Sequence, residues 1–226
     1  KFKTKQYETI FWYDGEIAEI GSPRCDIIMS DDYSQKVSIK HKLGYNDRAK
    51  IIMYAPTFRD GMCEDLLSIF ALPWESVLDA LAKRFGGTWF GMLRLHPNLS
   101  RLFDKLELPE NVVNVSAYPD MQELLLACDS LITDYSSAIY EFALTGKPGF
   151  IFATDITEYE KERDVYFSLR STPFPVAQSN DELISNIIKF DEEIYNEQRQ
   201  DFYSNIVGQV SSRNAAETIA YKIETI

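Results

Sequence analysis

The chain has 226 residues, with 23 Lys+Arg against 35 Asp+Glu and a net charge of −12. That length buries a sizeable core in one domain, or one domain with a short extra lobe, and 45% hydrophobic with 26% charged residues excludes a disordered chain. The acidic balance argues against broad binding to nucleic acid or anionic lipid, which need a basic surface, but leaves room for a small cationic pocket.

In chain order, the opening KFKTKQYETIFWYDGE has no initiating Met, no apolar run of the roughly 18–20 residues a membrane span needs, and no cleavable leader pattern. Residues 1–20 are expected to be a detached strand or the stump of an amino-terminal domain, and 21–226 one further domain with carboxy-terminal helices. His41, in the polar run SIKHKLGY, is expected on a solvated helix. Strands are expected at Ile51–Ala55, Trp89–Leu95, Val112–Val115, Ser130–Thr133 and Gly149–Phe152, several of them apolar throughout, as suits parallel strands covered on both faces. Helices are expected between them: Pro73–Arg84, opened by proline and closed before Gly86-Gly87, then Met121–Ala127, then Ser136–Leu144, stopped by Gly146 and Pro148. Beyond Phe152 the charged stretch Asp155–Asp164 and the STPFP loop lead to helices at Asp181–Ile188, about Glu193–Ile206 and Arg213–Ile226. The alternation predicts an α/β, Rossmann-like parallel sheet with flanking helices. The three cysteines, Cys25, Cys63 and Cys128, are odd in number and widely spaced. They fit a reducing cytosol and form neither a disulfide framework nor a metal cluster.

Chemistry concentrates after the strands. In LITDYSSAIYEFALTGKP a strand ends at Thr133 and a helix opens at Ser136 and Ser137, where free backbone N–H groups and hydroxyls can hold a phosphate. Glu141, about one turn on, can accept hydrogen bonds from a sugar diol; the plainer reading of Thr133, Asp134 and the serines is a helix cap. LRLHPN places Arg94 and His96 on one strand face at the sheet edge, either as a functional pair or with His96 as a satisfied structural residue. YAPTFRD carries Pro56, Thr57 and Arg59 into a loop, with Arg59 either a phosphate fork or a surface residue of the turn. GSPRCD is a turn carrying Arg24. Convergence of these loops on one sheet edge would give a local cationic pocket suited to a diphosphate.

The ordered set GSPRCD, YAPTFRD, LRLHP and ITDYSSAIYEFALTGKP resembles the CDP-glycerol glycerophosphotransferases, the teichoic-acid primases and polymerases, from about Gly21 to Asn214. The resemblance implies the carboxy-terminal, donor-nucleotide half of a GT-B type fold. It implies that Arg24 reaches the donor phosphates, that Pro56 and Thr57 line the nucleotide pocket, and that Arg94, Leu95 and His96 contact the cytidine diphosphate; Arg59 is counted with them as a substrate-binding residue for its phosphate fork. His96 would be catalytic or pyrophosphate-stabilising, Ser136 and Ser137 would hold phosphate through hydroxyl and backbone donors, and Glu141, where many members carry Asp, would bind the ribose or base side; Thr133, just before them, is also expected to be substrate-binding. Phe58 stands where the family often has tryptophan, and STPFPV lacks its usual Pro-Gly-Pro loop. The general base is expected in an amino-terminal acceptor domain outside these residues, leaving this chain unable to transfer alone.

The expected function is therefore donor binding in a transferase that passes a polyol phosphate from CDP-glycerol, or a related CDP-polyol such as CDP-ribitol, to a lipid-linked or polymeric acceptor. No cofactor, metal or nucleic acid is expected. The full-length protein is expected in the cytoplasm, peripheral on the inner face of the membrane, with membrane contact through regions outside this chain. Two other readings are a GT-B glycosyltransferase or epimerase using a UDP-sugar, and a non-catalytic nucleotide-binding module.

Overall fold

Six short apolar segments pair side by side, all parallel, into one sheet: β1 (Lys50–Ala55), β2 (Trp89–Leu93), β3 (Val112–Asn114), β4 (Ser130–Thr133), β5 (Gly149–Phe152) and β6 (Val176–Ala177), in the order β3-β2-β1-β4-β5-β6. This is a computed structural model, and it describes residues 2–30, 32–57, 72–96, 107–157, 159, 168–208 and 214–225. Every residue of β4 and β5 is buried, as expected of parallel strands covered on both faces.

The helices are α1 (Phe2–Thr9), α2 (Asp26–Met29), α3 (Tyr33–Lys42), α4 (Trp74–Phe85), α5 (Met121–Ala127), α6 (Ala138–Phe142), α7 (Asn180–Ile188), α8 (Glu192–Phe202) and α9 (Ala215–Glu224). α4 shows why they sit where they do. It buries Trp74, Val77, Leu78, Ala80 and Leu81, one helical stripe, while Glu75 and Asp79 face water. The Trp74 ring lies over β2 at Gly91: a Cβ there would come within 2.6 Å of the ring, so glycine is required by close approach.

Four expectations are corrected. The opening residues form helix α1 rather than a strand, and α1 lies against the Tyr203–Val207 turn that extends α8. The strand expected over 89–95 ends at Leu93, although Arg94 N still bonds Tyr54 O at 2.9 Å. The helix expected from Ser136 begins at Ala138 and tightens into a 3-10 turn at Ala143–Thr145, closed by Gly146 at φ +74°. A sixth strand, β6, follows the proline-rich loop.

The amino ends of β1 and β4 are pinned by charge. Asp129 accepts from Ile51 N at 3.0 Å, Lys36 Nζ at 2.6 Å and Lys40 Nζ at 3.3 Å, while Lys40 also donates to Ala49 O at 2.5 Å. Lys147 donates to Cys128 O at 2.6 Å, closing the end of α5. Burial, reinforced by Lys36, pushes the Lys147 ammonium down to about 8. Burial works against the Asp129 carboxylate, but the surrounding lysines outweigh it and its pKa is lowered.

Candidate functional site

In the order β3-β2-β1-β4-β5-β6 the direction of winding reverses between β1 and β4, and the carboxyl ends of those two strands form the switch point at which open α/β sheets bind ligands. The loops that begin there are Pro56-Thr57 and Asp134–Ser137, started side by side because Ala55 pairs with Thr133. Thr133 hydroxyl donates to Ala55 O at 2.6 Å and is fully buried. Thr133 is among the residues expected to bind the donor, and here its hydroxyl bonds the neighbouring strand. Asp134, 2% exposed, joins the two loops: one carboxylate oxygen accepts from Thr57 N at 2.9 Å and from Tyr135 N at 2.7 Å. Pro56 is buried and Thr57 half-buried beside it.

Ser136 Oγ accepts from Ala138 N at 3.2 Å, fixing the turn into α6. Ser137 occupies the cap position in helical conformation, its side chain making no cap bond and facing solvent. With α6 only five residues long, little helix dipole is available, so any anion at this turn would be held by direct N–H and hydroxyl donation. Tyr135 turns away, its hydroxyl donating to Asp155 at 2.9 Å and its ring stacked on Tyr159.

Arg24 and Glu141, expected to reach separate parts of a ligand, are brought to each other: Arg24 Nη2 lies 2.5 Å from Glu141 Oε1. The other Glu141 oxygen accepts from Gln122 Nε2 at 2.9 Å. The turn that presents Arg24 is tied to the far end of the chain, since Asp26 accepts from Ala215 N at 3.1 Å and Ala216 N at 2.8 Å, capping α9. Asp26, Asp134 and Gln122 were not singled out as site residues. Gln122 carried a faint signal at most, as one of two polar residues, with Glu123, in the first turn of the otherwise apolar helix MQELLLA.

On the β2 side, Arg94 is half-buried, and its Nη1 donates to Val115 O at 3.3 Å and Tyr118 O at 2.8 Å. Burial lowers its pKa, with Asp120 partly offsetting this. Its guanidinium therefore braces the loop after β3. Leu95 is buried, with its N–H bonded to Ser116 Oγ at 2.8 Å, whereas His96 is exposed on the same carboxyl edge. Arg59 lies outside the described residues. His41 is exposed on α3 and paired with Asp47, away from this edge.

Comparison with known proteins decides the family. Residues 1–225 match the family described as CDP-Glycerol:Poly(glycerophosphate) glycerophosphotransferase. The chain belongs to that family. Among its relatives, the teichoic acid poly(glycerol phosphate) polymerase of Staphylococcus epidermidis is 36% identical over 168 residues, covering 71% of this chain and 23% of its own length. The teichoic acid poly(ribitol-phosphate) polymerase of Bacillus spizizenii is 31% identical over 222 residues, covering 92% of this chain and 34% of its own length. A solved variant of the wall teichoic acid polymerase TagF, soaked with CDPG, superposes with a TM-score of 0.80 at 31% identity, covering 100% of this chain and 56% of TagF. The chain thus spans between about a quarter and a little over half of the proteins it matches. Among its described residues, no helix is long and apolar enough to cross a membrane.

Proposed function

We propose that this glycerophosphotransferase chain is the donor-nucleotide part of a polyol-phosphate transferase. It would bind CDP-glycerol or a related CDP-polyol for transfer to a teichoic-acid or capsule-like acceptor. The observation that carries the reading is the Asp134 bridge at the carboxyl ends of β1 and β4, which fixes the loops carrying Thr57 and Ser136-Ser137 to each other at the switch point of a fold shared with the CDPG-soaked polymerase. Relatives that use glycerol phosphate and ribitol phosphate stand at comparable identity, so the donor is read as a CDP-polyol, with CDP-glycerol as the first to test.

In this reading residues 21–226 bind the donor and residues 1–20 connect to an acceptor-binding part of a longer protein, which acts at the cytoplasmic face of the membrane. Ser136 and Ser137 hold the diphosphate, Thr57 and Arg59 border it, and Glu141 takes the ribose hydroxyls. An acceptor hydroxyl oxygen bonds to the phosphorus bearing the polyol while the bond from that phosphorus to the bridging oxygen breaks. CMP departs with the bridging oxygen, and the hydroxyl proton goes to a base supplied outside this chain. His96 stabilises the charge that grows on CMP, an interaction worth most in the transition state.

Calorimetry with CDP, UDP and CMP tests the binding half: the cytidine nucleotides should bind, and failure of all three would favour a non-catalytic module. Preference for UDP would favour a UDP-sugar enzyme. In a full-length, active protein His96→Ala should lower kcat far more than it raises KM for the donor; a lowered melting temperature with unchanged kcat would make His96 structural.

A further inference from the structure

We propose that Gln122 reads the nucleotide base, its side-chain oxygen accepting a hydrogen bond from the 4-amino group of cytosine and so selecting cytidine over uridine. This rests on the donor-site reading above and adds to it a specificity residue.

The Gln122 amide is held at one end, where Nε2 donates to Glu141 Oε2 at 2.9 Å. A carboxylate only accepts, so the amide nitrogen must face it; turning the amide over would set two oxygens against each other. Oε1 is thereby fixed as an acceptor on the other side, and it is buried without a hydrogen-bond partner. Buried acceptors are normally satisfied, so one that is pinned and has no partner within the protein calls for a donor from outside the chain, a water or a ligand group. Among the described residues one other buried side-chain atom shares this condition, Arg199 Nε, and that guanidinium already donates to Ala143 O and Asn196 Oδ1.

The location fits the order of groups in a nucleotide. Phosphate, ribose and base follow one another, and the protein groups succeed one another likewise: Ser136 and Ser137 at the start of α6, Glu141 about 6 Å further along it, and Gln122 bonded to Glu141 from α5. With phosphates on the serines and ribose hydroxyls on Glu141, the base comes next to Gln122. Arg24, with 57% of its side chain exposed, holds Glu141 Oε1, the oxygen not used by Gln122. In the donor complex proposed here Arg24 would swing aside, yielding Oε1 to the ribose and leaving the base beside Gln122, while Oε2 keeps the amide in register. Cytosine presents an amino donor at position 4, whereas uracil presents a carbonyl oxygen, a second acceptor against Oε1.

The test compares binding of CDP, UDP and the diphosphate of the 2-pyrimidinone riboside, which lacks the 4-amino group, to the unmodified protein and to Gln122→Leu. The unmodified protein should bind CDP at least about tenfold more tightly than either other nucleotide, the scale of one hydrogen bond to an otherwise unsatisfied buried acceptor. In Gln122→Leu the three affinities should fall within about threefold of one another; Gln122→Met, which keeps the side-chain length, replaces it if the leucine variant does not fold. Equal binding of CDP and the pyrimidinone by the unmodified protein overturns the proposal. So does a folded variant that loses affinity for all three alike with its preference intact, since Gln122 would then only support Glu141. Failure of every nucleotide to bind would instead sink the donor-site reading itself.

Discussion

Replacing Asp134 by alanine should cost this protein both stability and donor affinity, and the cost can be worked from two bonds. One carboxylate oxygen accepts from Thr57 N at 2.9 Å and Tyr135 N at 2.7 Å, in a side chain that is 2% exposed. Hydrogen bonds to charged groups contribute about 1.5–3 kcal/mol each, so losing both removes about 3–6 kcal/mol. Relief of the buried carboxylate's desolvation, together with access of water to the half-buried Thr57, should return part of this, leaving a net loss of about 2–4 kcal/mol. Asp134→Asn keeps an acceptor oxygen in the same place and should lose only about 1 kcal/mol. Urea denaturation of the three proteins measures these differences, and calorimetry with CDP reports whether the two loops still converge. An alanine variant within about 0.5 kcal/mol of the parent, the range of ordinary surface changes, would refute the strut. An asparagine variant as damaged as the alanine one would show that charge, and not the bridge between loops, is what matters.

Other changes test separate parts of the structure. Ser136→Leu with Ser137→Leu should abolish measurable CDP binding while leaving the urea midpoint near that of the parent, because Ser137 faces solvent and Ser136 makes a single local bond; unchanged CDP affinity in the folded double variant would remove the phosphate role from this loop. Gly91→Ala should destabilise by about 1–3 kcal/mol, the scale of overpacking, since its methyl would meet the Trp74 ring at 2.6 Å and Val112 at 3.0 Å; a neutral result in urea would mean that Trp74 repacks freely. For Lys147, whose pKa is depressed to about 8, the unfolded chain binds the extra proton between pH 8 and 10, so the penalty is fully present below pH 8 and stability from this group rises with pH, by about 2 kcal/mol at most. Lys147→Met should flatten that rise in denaturation series between pH 8 and 10, and an unaltered slope would place the ammonium in water.

Much of the sheet was legible in the sequence because its strands are runs such as IIMYA, SLIT and GFIF, apolar on both faces, which in an acidic chain can only be interior. β6 was not, because two residues after Pro175 form a strand only by pairing with Ile151 and Phe152. α1 was missed because FKTKQYET has no apolar stripe. The positions of the site loops were legible from the residues that end each strand. Their internal bonding was not, since a sequence gives no sign that Arg24 would meet Glu141, that Asp26 would cap α9, or that Arg94 would brace the Val115–Tyr118 loop. Such pairings between distant segments are decided by how the helices stack on the sheet, whereas strand ends are decided locally.

The most direct measurement is a crystal structure of the protein grown with CDP-glycerol. The diphosphate should lie at the Ser136-Ser137 turn, the ribose hydroxyls on Glu141 with Arg24 displaced from its Oε1, and the cytosine beside Gln122. Nucleotide bound instead at the opposite end of the sheet, in the cavity of about 190 Å³ lined by Lys36, Lys40, Arg48 and Lys50, would contradict it.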